Sequence, residues 1–74
     1  MTKPETPLEK ARRYVAEAEA KCAQQTELLR KIIADDDPVA AEKARHLLAT
    51  LEISLELMRR HLQREEERAA EGAL

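Results

Sequence analysis

Residues that could carry out metal or acid–base chemistry are few in this 74-residue chain, which has two histidines and one cysteine. His46 and His61 are fifteen residues apart, which on one helix separates them by roughly 22 Å, too far to share a metal ion. Glu42 precedes His46 by four residues, a spacing that can share a metal. The Glu-x-x-His pattern of di-metal helical bundles is nevertheless absent from the sequence. We therefore expect no metal site and no cofactor.

Nucleophilic catalysis also lacks a suitable set of residues. Ser54 is the only serine, and it lies two helical turns from His61. Gly72 is the only glycine, so a glycine-rich phosphate loop cannot be built. Cys22 is predicted to be a small buried apolar group, and the alternative of a reactive thiol would require exposure and a positive neighbour. The sequence thus predicts that the protein is not an enzyme.

The acidic run at 35–37 is followed by Pro38 and predicts a turn between two helices. Asp37 can cap the second helix, with Pro38 at its first position. A calcium loop is the alternative, but it would need more oxygen ligands at set spacing and a glycine. We interpret the three aspartates as a turn and a helix cap.

Two long helices must position all of these residues, because no proline or glycine interrupts the sequence on either side of the turn. Thr6, Pro7 and Glu9 form a capping box that predicts the start of the first helix. The predicted organisation is a flexible N-terminal tail at 1–5, a helical hairpin at 6–71 and a C-terminal tail at 72–74. Within the hairpin, the helices are expected at about 7–34 and 38–70, with a turn at 35–37.

Apolar residues recur with the alternating three- and four-residue steps of a coiled coil. The first helix carries the series Leu8, Val15, Cys22, Leu29 and Ala11, Ala18, Gln25, Ile32, and the second carries Ala41, Leu48, Leu55, Leu62 and Ala44, Leu51, Met58, Glu65. In antiparallel register Ala18 lies opposite Leu55 and Val15 opposite Met58. The sequence therefore predicts an all-α, coiled-coil-like antiparallel two-helix hairpin, in which the polar Gln25 helps to set the register.

More apolar side chains are present than a two-helix seam can bury. Ile33 flanks the seam, and five further residues form a predicted dimer or partner interface: Tyr14, Leu28, Leu47, Ile53 and Leu57. Since a wide apolar stripe suits a bundle core, we expect a homodimer that forms a four-helix bundle. A binding surface for another protein is the alternative.

Charged residues make up 38% of the chain, with a net charge of -2. Many of them fall four residues apart as expected helix-stabilising pairs: Glu9–Arg13, Glu17–Lys21, Glu27–Lys31 and Glu56–Arg60. Basic residues near the two chain termini are candidate nucleic-acid contacts: Lys10, Arg12, Arg13, Arg59, Arg60 and Arg64. Neighbouring glutamates dilute this basic end, so a solvated charged surface is the preferred interpretation.

No apolar stretch approaches the roughly 18 residues that a bilayer-spanning helix needs, and the N-terminal residues lack the apolar run of a secretory signal. A lone cysteine fits a reducing compartment. We expect a cytoplasmic, non-enzymatic, self-associating hairpin that acts as a small protein-interaction or scaffold module. The alternative function is a small dimeric-bundle regulator that binds nucleic acid through its basic end.

The run 47–61 resembles a segment of short uncharacterised helical-hairpin proteins from rhizobia and related α-proteobacteria. The matching residues are Leu47, Leu48, Glu52, Ser54, Leu55 and His61. Those proteins typically carry an aromatic residue where this chain has Leu51, and a first histidine where it has Met58. A looser similarity covers Val15 to Ile33. The resemblance implies a helix–turn–helix hairpin in a bacterial cytoplasm and no assigned activity.

Overall fold

The structure, a computed structural model, describes residues 3–72 as two α-helices, α1 (Pro7–Ala34) and α2 (Pro38–Gly72). The helices pack side by side in opposite directions, and the Cα positions extend over 56 × 28 × 13 Å. The fold is therefore a single layer of two helices. α2 continues to Gly72, past the expected end near Ala70. Of the predicted C-terminal tail only 73–74 remain, and these lie outside the described residues.

Helix α1 begins at the predicted N-cap. The Thr6 hydroxyl accepts a hydrogen bond from the Glu9 N–H at 3.1 Å, which satisfies an amide that the helix cannot pair internally. The hydroxyl also donates to Glu9 Oε1 at 3.0 Å. The carboxylate thus bonds to the Thr6 side chain, whereas a standard capping box would bond it to the Thr6 backbone N–H.

The turn ends α1 in a way that the sequence did not reveal. Asp36 has a φ of 56°, in the left-handed region where glycine is usual. The Asp36 N–H bonds to the Ile33 carbonyl at 3.0 Å and the Asp37 N–H to the Ile32 carbonyl at 3.4 Å, the paired bonds of a Schellman motif. Asp37 then caps α2 as predicted, since its Oδ1 accepts from the Ala40 N–H at 3.1 Å.

The seam between the helices follows the predicted heptad series, because every residue of those series is buried or half-buried. Val15, Ala18 and Leu55 form the centre of the core. Cys22, Met58 and Leu62 pack around them. These contacts confirm the predicted antiparallel register, with Ala18 at the level of Leu55. The core is thin, since among the described residues no large side chain is completely enclosed.

Two polar residues occupy seam positions. Gln25 is buried, and its Nε2 donates to the Ala44 carbonyl oxygen at 3.3 Å, so that it links the two helices directly. Glu65 is buried at the other end of the seam. Its Oε1 lies 3.2 Å from an Arg68 nitrogen and 3.9 Å from Nε2 of His61. Each buried polar side chain therefore has a partner.

The predicted ion pairs are mostly wrong. Only the Glu56–Arg60 pair forms as expected, with 3.4 Å between Arg60 Nε and Glu56 Oε1. Arg13 pairs with Glu5 and Glu17 rather than with Glu9. Glu27 pairs with Arg30 rather than with Lys31. Each of these charges has several possible partners within a helical turn, so spacing alone does not decide which pair forms. Lys21 and Lys31 consequently lose the partners that were predicted for them.

Neither described helix combines the length and the apolar character that a segment crossing a bilayer needs.

Candidate interaction surfaces

The two-helix layer has two broad faces, which the heptad positions distinguish. The series that begin at Leu8 and Ala41 hold position a, and those that begin at Ala11 and Ala44 hold position d. Positions g and c of both helices then share one face, and positions e and b share the other. Tyr14, Lys21 and Ser54 line an inter-helix groove on the first face, which we call the groove face, over Leu51 and Met58. On the second, which we call the opposite face, Ile33 lies beside Arg45.

Three of the predicted interface residues lie on the groove face. Tyr14, Leu28 and Leu47 all occupy g positions. Leu28 and Leu47 are 49% and 50% exposed, and Tyr14 is just over one-third exposed. The Tyr14 ring is flanked by cations, with the Lys10 Nζ 5.7 Å and the Arg13 guanidinium carbon 4.9 Å from its centroid. We call these three g-position side chains the groove strip, in which Lys21 lies between Tyr14 and Leu28 along α1.

The remaining two predicted interface residues form a separate surface on α2. Ile53 and Leu57 point away from the seam and are 65% and 58% exposed. Ile53 holds an f position on the outer edge of α2, and Leu57 holds a c position where that edge meets the groove face. We call this pair the outer patch. It borders a shallow depression whose other lining residues are Ala49, Glu52, Glu56 and Arg60. The structure therefore divides the predicted interface into a groove strip and an outer patch.

An exposed apolar residue that sequence reasoning missed is Val39, which is as exposed as Ile53. It follows Pro38 in the first turn of α2 and belongs to neither heptad series. A helical projection of the residues outside the seam would have revealed it. Ile33, which was expected to flank the seam, lies on the opposite face and does not extend the groove strip.

The six candidate basic contacts do not form one patch. By heptad position Lys10 and Arg64 border the groove face, Arg12 and Arg59 border the opposite face, and Arg13 and Arg60 lie on the outer edges. Arg13 bonds to both Glu5 oxygens, at 2.9 and 3.0 Å, and to Glu17 at 3.0 Å. Arg60 is paired with Glu56. The basic side chains thus surround this end of the hairpin, and two of them are already neutralised.

The Glu5–Arg13 pair ties the segment before α1 to the helix surface. The hydrogen bonds from Arg13 hold the pKa of the Glu5 carboxyl below its ordinary value, and the charge of Arg13 adds to this effect. The same carboxylates raise the pKa of Arg13. Within the predicted flexible tail, residues 1–2 lie outside the described residues, whereas Glu5 has a defined partner.

The histidines are exposed and each lies beside one carboxylate. Nε2 of His46 is 3.2 Å from Glu42 Oε1, and Nε2 of His61 is 3.9 Å from Glu65 Oε1. Between residues 3 and 72 no three histidine, cysteine or acidic side chains come together as a metal-ligand group. Cys22 is a free, half-buried thiol packed against the core.

Comparison of the chain with protein-family models, with curated proteins and with solved structures finds no match in any of the three. The similarity of the second helix to α-proteobacterial hairpin proteins therefore stays a prediction from sequence.

Proposed function

We propose that this protein is a non-enzymatic helical hairpin that self-associates and serves as a small protein-interaction or scaffold module in the cytoplasm. In this proposal two hairpins associate through the outer patch, α2 against α2, into an assembly of four helices. The single cysteine, Cys22, is compatible with a reducing compartment.

The observation that carries the proposal is the exposure of Ile53 and Leu57 one helical turn apart on α2. Burying an aliphatic side chain of this size completely contributes about 1.5–3 kcal/mol. A pair spaced by four residues presents one continuous apolar surface, since residues four apart lie on the same side of a helix. Two copies related by a twofold axis would each cover the patch of the other.

The exposed area of the whole chain supports the need for a partner. The hairpin exposes 6026 Å². A compact folded monomer of the same mass would expose about 4,600 Å². The excess of about 1,400 Å² is larger than the roughly 800 Å² that each partner buries in a stable interface of standard size. A single layer of two helices lacks the second layer that domains normally have, so much of its surface stays exposed unless a partner covers it.

Sedimentation equilibrium tests the proposal. The wild-type chain should have about twice its 8.4 kDa mass. The double variant Ile53→Lys, Leu57→Glu should shift the population toward monomer, because two charges would have to be buried in the interface. It should also lower the thermal stability and make it depend less on protein concentration, since folding and association are linked and a monomer gains nothing from mass action.

A matched control is available on α1. Ala20 and Gln24 are exposed and hold the same f and c heptad positions, so Ala20→Lys with Gln24→Glu introduces the same charges at the same spacing. This control should sediment like the wild type. A wild-type chain that is monomeric and fully helical, or an outer-patch variant as dimeric as the control, would refute self-association through α2.

A further inference from the structure

Unpaired positive charge borders the groove strip on both sides. The basic residues at c and g positions of the groove face are Lys10, Lys21, Lys31, Lys43, Arg64 and Arg68. Arg68 is paired with Glu65, and within residues 3–72 no ion pair joins any of the other five to a carboxylate. Glu17, the acidic residue at a c position there, is bonded to Arg13. The groove face is therefore both apolar and strongly basic.

The opposite face has a different charge balance. Its e and b positions carry the acidic residues Glu9, Glu19, Glu42, Glu52, Glu56 and Glu66 beside the basic residues Arg12, Arg30, Arg45 and Arg59. Pairs such as Arg45–Glu42 and Arg60–Glu56 lie on this face or at its border with the outer edge. Negative charge there exceeds positive charge. The unpaired cations are thus concentrated on the one broad face that also exposes Leu28 and Leu47.

We propose that the groove face binds an acidic amphipathic helix of another protein. Such a helix would lie along the inter-helix groove with its apolar side on Tyr14, Leu28 and Leu47. Its flanking carboxylates would reach the lysines on the two rims, as in other helix-in-groove complexes. The bound helix would make a third member of the bundle. The site adjoins the outer patch at Leu57, but its apolar contacts are at g positions, so it does not need α2 to pair with α2.

The charges argue against a second copy on this face. Stacking two groove faces would bring Lys21, Lys31 and Lys43 of one hairpin against the same residues of the other, and like charges in an interface are unfavourable.

The apolar residues argue against nucleic acid, since Leu28 and Leu47 would replace phosphate or base contacts with aliphatic surface. They are also only half exposed and flanked by long lysines, so they suit a helix lying in the groove better than a flat lipid surface.

A designed peptide serves as the probe. It is fluorescein-labelled, about 21 residues long to match roughly 30 Å of groove as a helix, and has leucine along one face with glutamate on both flanks. One control peptide replaces each glutamate by lysine. A second keeps the composition but scrambles the order, so that the leucines no longer share a face. Fluorescence anisotropy with the full-length chain should show binding of the acidic amphipathic peptide alone, weakened by salt.

Protein variants locate the site. The double variant Lys21→Glu, Lys43→Glu reverses the charge of one lysine on each helix of the groove face. It should weaken peptide binding by about tenfold or more. The control Arg12→Glu with Arg59→Glu makes the same charge change on the opposite face, at exposed e positions, and should leave the affinity within about threefold of wild type. Leu28→Ser with Leu47→Ser should also weaken binding, while circular dichroism shows unchanged helix content.

Other outcomes would overturn the proposal. Equal binding of the scrambled peptide, or of the lysine peptide, would show that no oriented acidic helix is recognised. Binding of a single-stranded RNA or of vesicles containing phosphatidylglycerol, without binding of the acidic peptide, would assign the face to a different class of ligand. Equal weakening by the groove-face and opposite-face variants would mean that only total charge matters.

Discussion

The Nε2 amide of Gln25 on α1 donates a hydrogen bond to the main-chain carbonyl oxygen of Ala44 on α2, at 3.3 Å and inside the seam. It is a direct polar link between the helices at a position where the heptad pattern would otherwise place an apolar side chain. The bond defines which residues face each other near the turn, because Gln25 reaches Ala44 only in the observed register.

Gln25→Leu should keep the stability of the hairpin within about 1 kcal/mol of wild type, because the Ala44 carbonyl retains its bond within the helix and the leucine fills the seam. Gln25→Ala should lower the free energy of unfolding by about 1–3 kcal/mol, since it loses both the bond and the packing. Urea unfolding monitored by circular dichroism measures both changes. A leucine variant as unstable as the alanine variant would contradict this ranking.

Leu55 lies at the centre of the core with 7% of its surface exposed, whereas Leu51 is half-buried. Leu55→Ala should therefore lower the free energy of unfolding by about 2–5 kcal/mol, and Leu51→Ala by a smaller amount, because the cost follows the volume of the cavity that is left. Thermal melts at one protein concentration test the order. If Leu51→Ala were the more damaging change, the placement of Leu55 against Val15 and Ala18 would be in doubt.

Asp36 adopts a left-handed backbone conformation that glycine occupies without steric cost. Asp36→Gly should stabilise the hairpin by about 1 kcal/mol, because the end of α1 keeps its Schellman bonds while the strain is removed. Asp35→Gly is the matched control, since Asp35 has a right-handed conformation with a φ of -80° and should gain nothing. Differential scanning calorimetry should show a higher Tm for Asp36→Gly and no increase for Asp35→Gly, and equal shifts would argue against the left-handed turn.

The attachment of the N-terminal segment should depend on pH through Glu5. Because its pKa lies below the ordinary glutamate value, the ionised Glu5–Arg13 pair is fully formed above that ordinary value. The pair is lost as the pH falls through the lowered pKa, when the carboxylate takes up a proton. An NMR titration of the Glu5 carboxyl carbon should give a lower midpoint in the wild type than in Arg13→Gln. Identical midpoints would mean that the pair does not form in solution.

Local rules of the sequence specify most of this fold. Helix α1 starts at Thr6 and α2 starts after Asp37 because short polar side chains cap exposed amides, an interaction that needs only neighbouring residues. The heptad series predict the seam and the pairing of Ala18 with Leu55, since a short turn forces the two apolar stripes together in antiparallel order. The exposure of Ile53 and Leu57 follows from the same periodicity.

The partners of long charged side chains are not decided by spacing. Arg13, Glu17 and Glu27 each have more than one oppositely charged neighbour within a helical turn, and the energy differences between the options are a few tenths of a kcal/mol, roughly the strength of such a pair. The pairs that form lie within α1 or join it to Glu5, and they leave Lys21 and Lys31 without the partners that spacing suggested. The basic, apolar groove face thus arises from the pairing of the two helices, because neither helix alone has both sides of the groove.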